Sequence, residues 1–390
     1  MESVRLGIIG IGGIGSAHFN CVGGGKIEGM TLAAVCDIDP ARLEYCRGIL
    51  PEIPCFADYK DMLKSGLIDA VLISVPHPYH AKIAIDALNA GLHVLTEKPE
   101  DITVSAARRL NETADKSGKV FAIMFNQRTN PIFQRAREIV QSGQLGDLKR
   151  TIWIITNWYR TQHYYDSGDW RATWRGEGGG VLLNQAPHNL DLWQWICGMP
   201  TEVTAFCEVG KWHNIEVEDE ATIFTKYPNG ATGAFITSTG DLPGTNRLEI
   251  SGTRGIVTVE HGKLTFKRLK SDEREICKTC NESWPSPEIE TEVYEPNDGG
   301  TAHAGVLQSF ANAILKGEPL VADGREGINE LTISNAAYLS QWTGNKAVKL
   351  PFDEAEFDRE LKSRQETSEL KSSGGKQTHE GYSERWQVRF

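Results

Sequence analysis

The sequence predicts two fold classes in succession. Residues 1–125 read as an α/β unit on a doubly wound parallel sheet, and 126–350 as an α+β domain on a large, mainly antiparallel sheet. Three observations lead there. Apolar runs alternate with helical stretches up to residue 125, strands recur at hairpin spacing beyond residue 149, and an early apolar strand runs into spaced glycines and then an acid. Residues 351–390 form a C-terminal extension. Its stretch 362–381 is polar and poor in apolar side chains, so a partly loose tail is expected, with the aromatic end at Tyr382 and 386–390 docking again.

Val4-Arg5-Leu6-Gly7-Ile8-Ile9 reads as a buried strand, and Gly10-Ile11-Gly12-Gly13-Ile14-Gly15 fits G-x-G-x-x-G. A helical stretch follows, and a second apolar strand over 31–36 ends at Asp37. This is a dinucleotide-binding arrangement. Gly10 permits the tight turn, Gly12 lets the backbone approach a pyrophosphate, and Gly15 lets helix and strand pack closely. Gly13 and Ile14 open the helix, whose first N–H groups and partial positive charge suit an anion. Asp37 can accept from ribose hydroxyls. A 2′-phosphate there would meet like charge, with Ile38 and Asp39 next and no arginine to offset it, so NAD is expected over NADP.

The remaining elements follow in order. Helices are predicted over 41–50 and 59–65. The run 70–75 is too apolar for a one-sided strand and is broken by Pro76 and Pro78. A helix over 79–90 stops at Gly91, a strand over 93–96 precedes a helix over 104–116, and 120–125 is the last parallel strand. A helix over 132–141 ends at Gly143. Strands follow at 151–157, 202–208, 221–226 and 231–237, the last two flanking Pro228-Asn229-Gly230. Strands 248–251 and 256–260 flank Gly252-Thr253-Arg254-Gly255, with a helix over 185–197 inside the sheet region. Residues 270–300 look like a polar excursion, and helices return over 304–316 and 324–343.

Composition narrows the function. A chain of 390 residues with net charge −11 and no dense basic stretch does not suit nucleic acid. No apolar run approaches the roughly 18 residues of a membrane span, and the first strand begins too early to leave room for a signal peptide. A cytoplasmic protein is expected. Eight cysteines do not suggest a disulfide framework; Cys21, Cys36, Cys46 and Cys55 read as small core residues. Cys277-Lys278-Thr279-Cys280 would need two more zinc ligands, with only His261 and His303 loosely near, so no metal site is expected.

Two further motifs carry a resemblance. Glu97-Lys98-Pro99 follows a parallel strand, at the edge where such sheets bind ligands. Gly178-Gly179-Gly180-Val181-Leu182-Leu183-Asn184-Gln185-Ala186-Pro187-His188-Asn189-Leu190-Asp191 is the second. With the glycine fingerprint, these resemble the Gfo/Idh/MocA oxidoreductases, the glucose–fructose oxidoreductase and inositol dehydrogenase group, over about residues 1–350. The resemblance implies Lys98 and His188 as the catalytic pair, the lysine beside substrate and nicotinamide and the histidine as acid/base. It also implies a homodimer or homotetramer built on the faces of the antiparallel sheet.

The residues agree with that chemistry. A histidine can take a hydroxyl proton near neutrality, and an adjacent ammonium can hold the substrate oxygen. Ser74, Pro76 and His80 at the 70–75 strand end, Glu97 and Gln127 are expected at the cofactor. Asn184 stands where the family's polyol dehydrogenases usually carry aspartate; it is expected on one helical face with His188, orienting substrate. Arg128, Trp158, Arg160, Trp170 and Arg175 are candidate substrate contacts, since aromatic faces suit sugar C–H faces and arginine donates to hydroxyls or carboxylates. The expected activity is NAD-dependent hydride transfer between a ring carbinol of a sugar, cyclitol or glycoside and nicotinamide C4. The alternative is a redox-neutral glycoside hydrolase or lyase that uses tightly bound NAD transiently.

Overall fold

The structure, a computed structural model, describes residues 2–369. The first unit comprises β1 (Val4–Ile9), α1 (Gly13–Gly23), β2 (Met30–Cys36), α2 (Pro40–Ile49), β3 (Cys55–Phe56), α3 (Tyr59–Lys64), β4 (Ala70–Ile73), α4 (His80–Asn89), β5 (His93–Thr96), α5 (Val104–Ser117) and β6 (Phe121–Ile123). Its six strands are all parallel in the order β3-β2-β1-β4-β5-β6, so the order reverses between β1 and β4. Ligands bind such sheets at that switch point, outside the carboxyl ends. Every residue of β4 is buried, which is why the run reads as continuously apolar instead of alternating.

The second unit begins with α6 (Pro131–Gln141), β7 (Leu148–Ile155), α7 (Gln162–Asp166), α8 (Pro187–Cys197) and β8 (Glu202–Val209). It continues through β9 (Glu218–Lys226), β10 (Thr232–Ser238), β11 (Asn246–Gly252), β12 (Gly255–Glu260), β13 (Lys263–Leu269), α9 (Glu273–Thr279) and β14 (Ile289–Tyr294). The chain closes with α10 (Ala302–Lys316), α11 (Gly327–Trp342), β15 (Val348–Lys349) and α12 (Glu354–Thr367). The nine-stranded sheet runs β14-β13-β12-β11-β7-β10-β9-β8-β15, antiparallel except where β10 meets β7. Its inner face carries Trp153 and Phe235 against Trp193 of α8, and α8 and α11 cover it.

Three expectations change. Residues 270–300 are an excursion only in part: the chain leaves the sheet over 270–288 and returns as β14, which pairs with β13 along the sheet edge, where Arg268 and Arg135 hold Glu290 and Glu292. Most of β14 is exposed, so no apolar face marked it as a strand. Asn184 is not on one helix with His188. Pro187, which lacks an N–H, takes the first position of α8, and Asn184 lies in a preceding turn that donates to the Gly180 carbonyl at 2.9 Å. The tail is not loose from 362. Asp353 caps α12, and Phe357 and Leu361, one turn apart, are buried. Tyr382 and 386–390 lie outside the described residues.

The units are also not consecutive in sequence. On α10, Val306, Leu307, Phe310 and Ala311 pack into the same apolar core as Leu6, Ile8 and Val22. Phe357 stacks on Trp342 at 5.3 Å and is 1% exposed. Phe357→Ala is expected to destabilise the protein by about 3–5 kcal/mol, read from the midpoint of urea unfolding.

Candidate active site

The glycine turn is shaped by what surrounds it. Gly10 has φ +88°, and a Cβ there would sit 2.6 Å from the Ser74 carbonyl oxygen at the end of β4. A Cβ on Gly15 would lie 1.9 Å from the Gly10 oxygen, so α1 can approach β1 this closely only with glycine. At Gly12 nothing stands within 4 Å of that position, which opens the turn toward a ligand. Ser74 Oγ donates to the Gly10 carbonyl at 2.7 Å and fixes the switch point. Gly12, Gly13 and Ile14 are half-buried at the start of α1, which has no side-chain cap. Asp37 accepts from Ile11 N–H at 2.6 Å and Asp39 N–H at 2.8 Å, leaving lone pairs for hydroxyl donors. These residues fit a dinucleotide.

Lys98 follows β5, and its Nζ donates to the Asn184 carbonyl at 2.5 Å, joining the two units. Burial lowers its pKa, while Glu97, Glu330 and Glu177 hold it up. The turn bearing Asn184 is anchored from below. A Cβ on Gly180 would lie 1.9 Å from the Glu218 carbonyl oxygen, and one on Gly179 2.2 Å from Tyr338 Oη. The Glu218 carboxyl accepts from Gly180 and Leu182 N–H, each at 2.9 Å, and from Tyr338 Oη at 2.7 Å. Burial pushes it up to about 7.

His188 is buried at the start of α8, and its Nδ1 has no hydrogen-bond partner among the described residues. Burial and then the Lys98 charge pull its pKa well below 6.5. Glu97 meets His18 Nε2 at 2.7 Å. Burial pushes that carboxyl up, but the His18 hydrogen bond and the charges of His18, His303 and Lys98 outweigh it and bring it to about 2. His303, from α10, stands edge-on to His18 at 5.6 Å; burial and His18 bring it to about 4. A buried imidazole, a lysine amine and a carboxylate paired with a histidine of α1 thus come together where the two units meet.

Of the candidates, Lys98, His188, Asn184 and Glu97 come together. Trp170 adjoins them edge-on to His77 at 5.8 Å, and Trp158 Nε1 donates to Asn189 at 3.3 Å. Arg160 lies over the Trp158 and Tyr164 rings, close enough for its charge to act on Lys98. Gln127 is buried beside Asn126, whose amide is 3.4 Å from His303 Nδ1.

Three candidates are engaged elsewhere. Arg128 is 1% exposed and paired bidentately with Asp191 at 2.8 and 2.6 Å, and also with Glu326. Both ring nitrogens of His80 meet backbone carbonyls, of Pro99 and Val75, at 2.7 Å, so it braces the turn after β5. Arg175 is exposed and donates to the Gln365 carbonyl on α12. Sequence reasoning missed His18, His303, Glu177 and Glu330; only Glu177, directly before the glycine triplet, carried a local signal. Among the described residues no group of three or more His, Cys, Asp or Glu could hold a metal ion.

A description of an oxidoreductase family with an NAD-binding Rossmann fold matches residues 4–125, and the GFO/IDH/MocA C-terminal domain matches 133–258. The chain belongs to the Gfo/Idh/MocA family. Among relatives of this family member is the 1-carboxy-3-chloro-3,4-dihydroxycyclohexa-1,5-diene dehydrogenase of Comamonas testosteroni. It is 30% identical over 51% of this chain and 49% of its own, so the match spans about half of that enzyme. The myo-inositol 2-dehydrogenase of Thermotoga maritima is 23% identical over 86% of this chain and 95% of its own. The WlbA dehydrogenase of Chromobacterium violaceum, solved with NADH and UDP-GlcNAcA, superposes with a TM-score of 0.78 at 28% identity, covering 90% and 97%.

Within this family member, Arg128 neutralises a buried Asp191 one turn beyond His188. Arg128→Met is expected to cost about 3–5 kcal/mol, because it leaves an uncompensated buried charge; chemical denaturation measures it.

Proposed function

We propose that the protein is an NAD-dependent dehydrogenase of a sugar, cyclitol or glycoside, acting on a ring carbinol. The reading rests on one observation: His188 is buried at the start of α8 with its Nδ1 unpartnered among the described residues, next to the turn whose Asn184 carbonyl accepts from Lys98 Nζ. NAD, when bound, supplies the acceptor for the carbinol hydride. Gly10, Gly12, Gly13, Ile14 and Gly15 would hold the pyrophosphate, Asp37 the ribose, and Ser74, Pro76, Glu97 and Gln127 the remaining edge. His188 takes the hydroxyl proton, and Lys98 donates to the same oxygen and steadies the charge that grows there. Asn184, Trp158, Arg160 and Trp170 would orient the ring. The Asp37 charge disfavours a 2′-phosphate, so NAD is proposed over NADP.

Two further points belong to the same reading. All eight cysteines are free thiols, which fits a reducing, cytoplasmic setting. Phe206, Phe224 and Ile256 are exposed on the outer sheet face, a surface suited to a homodimer or homotetramer.

An absorbance screen for NADH formation over cyclitols, free sugars and glycosides tests the activity. NADH with one class supports it. No net NADH from protein that purifies with NAD bound would move the reading to the redox-neutral hydrolase or lyase. His188→Ala is expected to lower kcat by about 10²–10⁴ and Lys98→Ala by about 10²–10³, with NAD affinity retained; an unchanged kcat removes that residue from the mechanism.

The pH profile has a definite sign. His188 works as a base only when neutral, so activity should persist below pH 6.5 on the acid side. Lys98 donates only as an ammonium, and its lowered pKa should bring the alkaline limb below pH 10.5. A profile of kcat/KM against pH checks both limbs. Asp37→Asn, which keeps an acceptor for Ile11, should narrow the NAD-over-NADP preference by about tenfold or more.

A further inference from the structure

We propose that Glu177 is the positioning residue of the site, setting the polarity of Asn184 and, through Asn184, adding its carboxyl group to those arranged around Lys98. Glu177 precedes the glycine triplet and is 2% exposed. One carboxylate oxygen accepts from Ala172 N–H at 2.5 Å. The other accepts from the Asn184 side-chain amide, while the Asn184 backbone carbonyl accepts from Lys98 Nζ. Acid, amide and ammonium are therefore linked through one residue.

Two consequences follow from this geometry. An amide has a donor end and an acceptor end, and a carboxylate can only accept. With Nδ2 held by Glu177, Asn184 presents Oδ1 to the substrate. The site then selects a ring with a hydroxyl to donate there, besides the one that is oxidised. The second consequence is electrostatic. Lys98 is faced by Glu97 from its own strand end, Glu330 from α11 and Glu177 from the glycine run, with Arg160 opposing them. His188, His303, His77 and His80 also feel its charge, while Glu177, raised by burial, is opposed by Arg171, the Ala172 N–H and the Asn184 amide. Among the three acids, Glu177 alone also contacts the residue whose carbonyl holds the ammonium. His77 Nδ1 closes the arrangement at 3.3 Å from the Glu177 carbonyl.

The inference rests on the proposed dehydrogenase only for the use made of Lys98 and Asn184. Its test needs no substrate. The full chain is labelled with trace acetic anhydride across a pH series, and Lys98 acetylation is quantified by peptide mass spectrometry against the exposed Lys263. Glu177→Gln keeps the shape and removes the charge. It is expected to lower the Lys98 midpoint by about one pH unit, with an unchanged thermal melt. The double variant Glu177→Gln/Asn184→Asp reverses amide and carboxylate across the same contact and should restore the midpoint. An unmoved midpoint in Glu177→Gln, or no restoration in the double variant, overturns the proposal. Should Glu177→Gln not fold, Glu177→Asp, whose carboxylate is retracted by one methylene, must shift the midpoint the same way. A negative result leaves the NADH screen standing, and a silent NADH screen leaves this result standing.

Discussion

A half-buried lysine amine is the constraint around which both units are arranged. Lys98 donates a hydrogen bond to a backbone carbonyl of the other unit, at 2.5 Å, and such a charge away from water is tolerated only if carboxylates lie close. The site supplies them unequally. Glu97 is held ionised by His18, at about 2. Glu330 and the neighbouring Glu100 are wholly buried, and none of their carboxyl oxygens has a hydrogen-bond partner among the described residues. Burial therefore raises both pKa values well above the ordinary range. Burial raises these acids, Glu177 included, and only Glu97, with its histidine partner, is brought below its ordinary range.

The same arrangement explains why several charged residues near the site do not line it. His188 can serve as a base only if α8 is held rigidly, and the clamp is Asp191, one turn further on, gripped by Arg128 from the segment after β6. Arg128 is sandwiched by Phe125 and Trp195, each 5.2 Å from its guanidinium carbon. His80 does comparable work for the turn carrying Lys98, bridging the Val75 and Pro99 carbonyls. Each braces the element that carries Lys98 or His188. A preorganised site needs such supports as much as it needs its reacting groups.

The parallel sheet was legible because its signals are local: a fully apolar β4, a glycine fingerprint and an acid at the end of β2. Lys98, Asn184 and His188 were legible because they sit in short motifs at element ends. Long-range pairing was not. Arg128 and Arg175 read as free guanidinium groups, and only the fold brings Asp191 and the Gln365 carbonyl to them. β14 escaped notice because most of its residues are exposed on a sheet edge, which leaves no buried face to reveal a period. His18 and His303 come from helices far apart in sequence, and no local pattern joins them.

That last pair shows how the site is closed. His303 stands in the first turn of α10, just after Ala302, whose φ of +47° is unusual for alanine. The helix then buries Val306, Leu307 and Phe310 in the core of the first unit. Packing energy from that apolar face holds the strained start of α10 against the Glu97–His18 pair. On the other side, Asn335 of α11 accepts from Val104 N–H and donates to the Ile102 carbonyl, joining that helix to the segment just after Lys98. The low-dielectric setting of Lys98 and His188 therefore depends on C-terminal helices, not only on the motifs that bear the two residues. Loosening either helix would admit water and restore both pKa values toward their ordinary ranges, so that His188 would take up a proton at a higher pH than it does when buried.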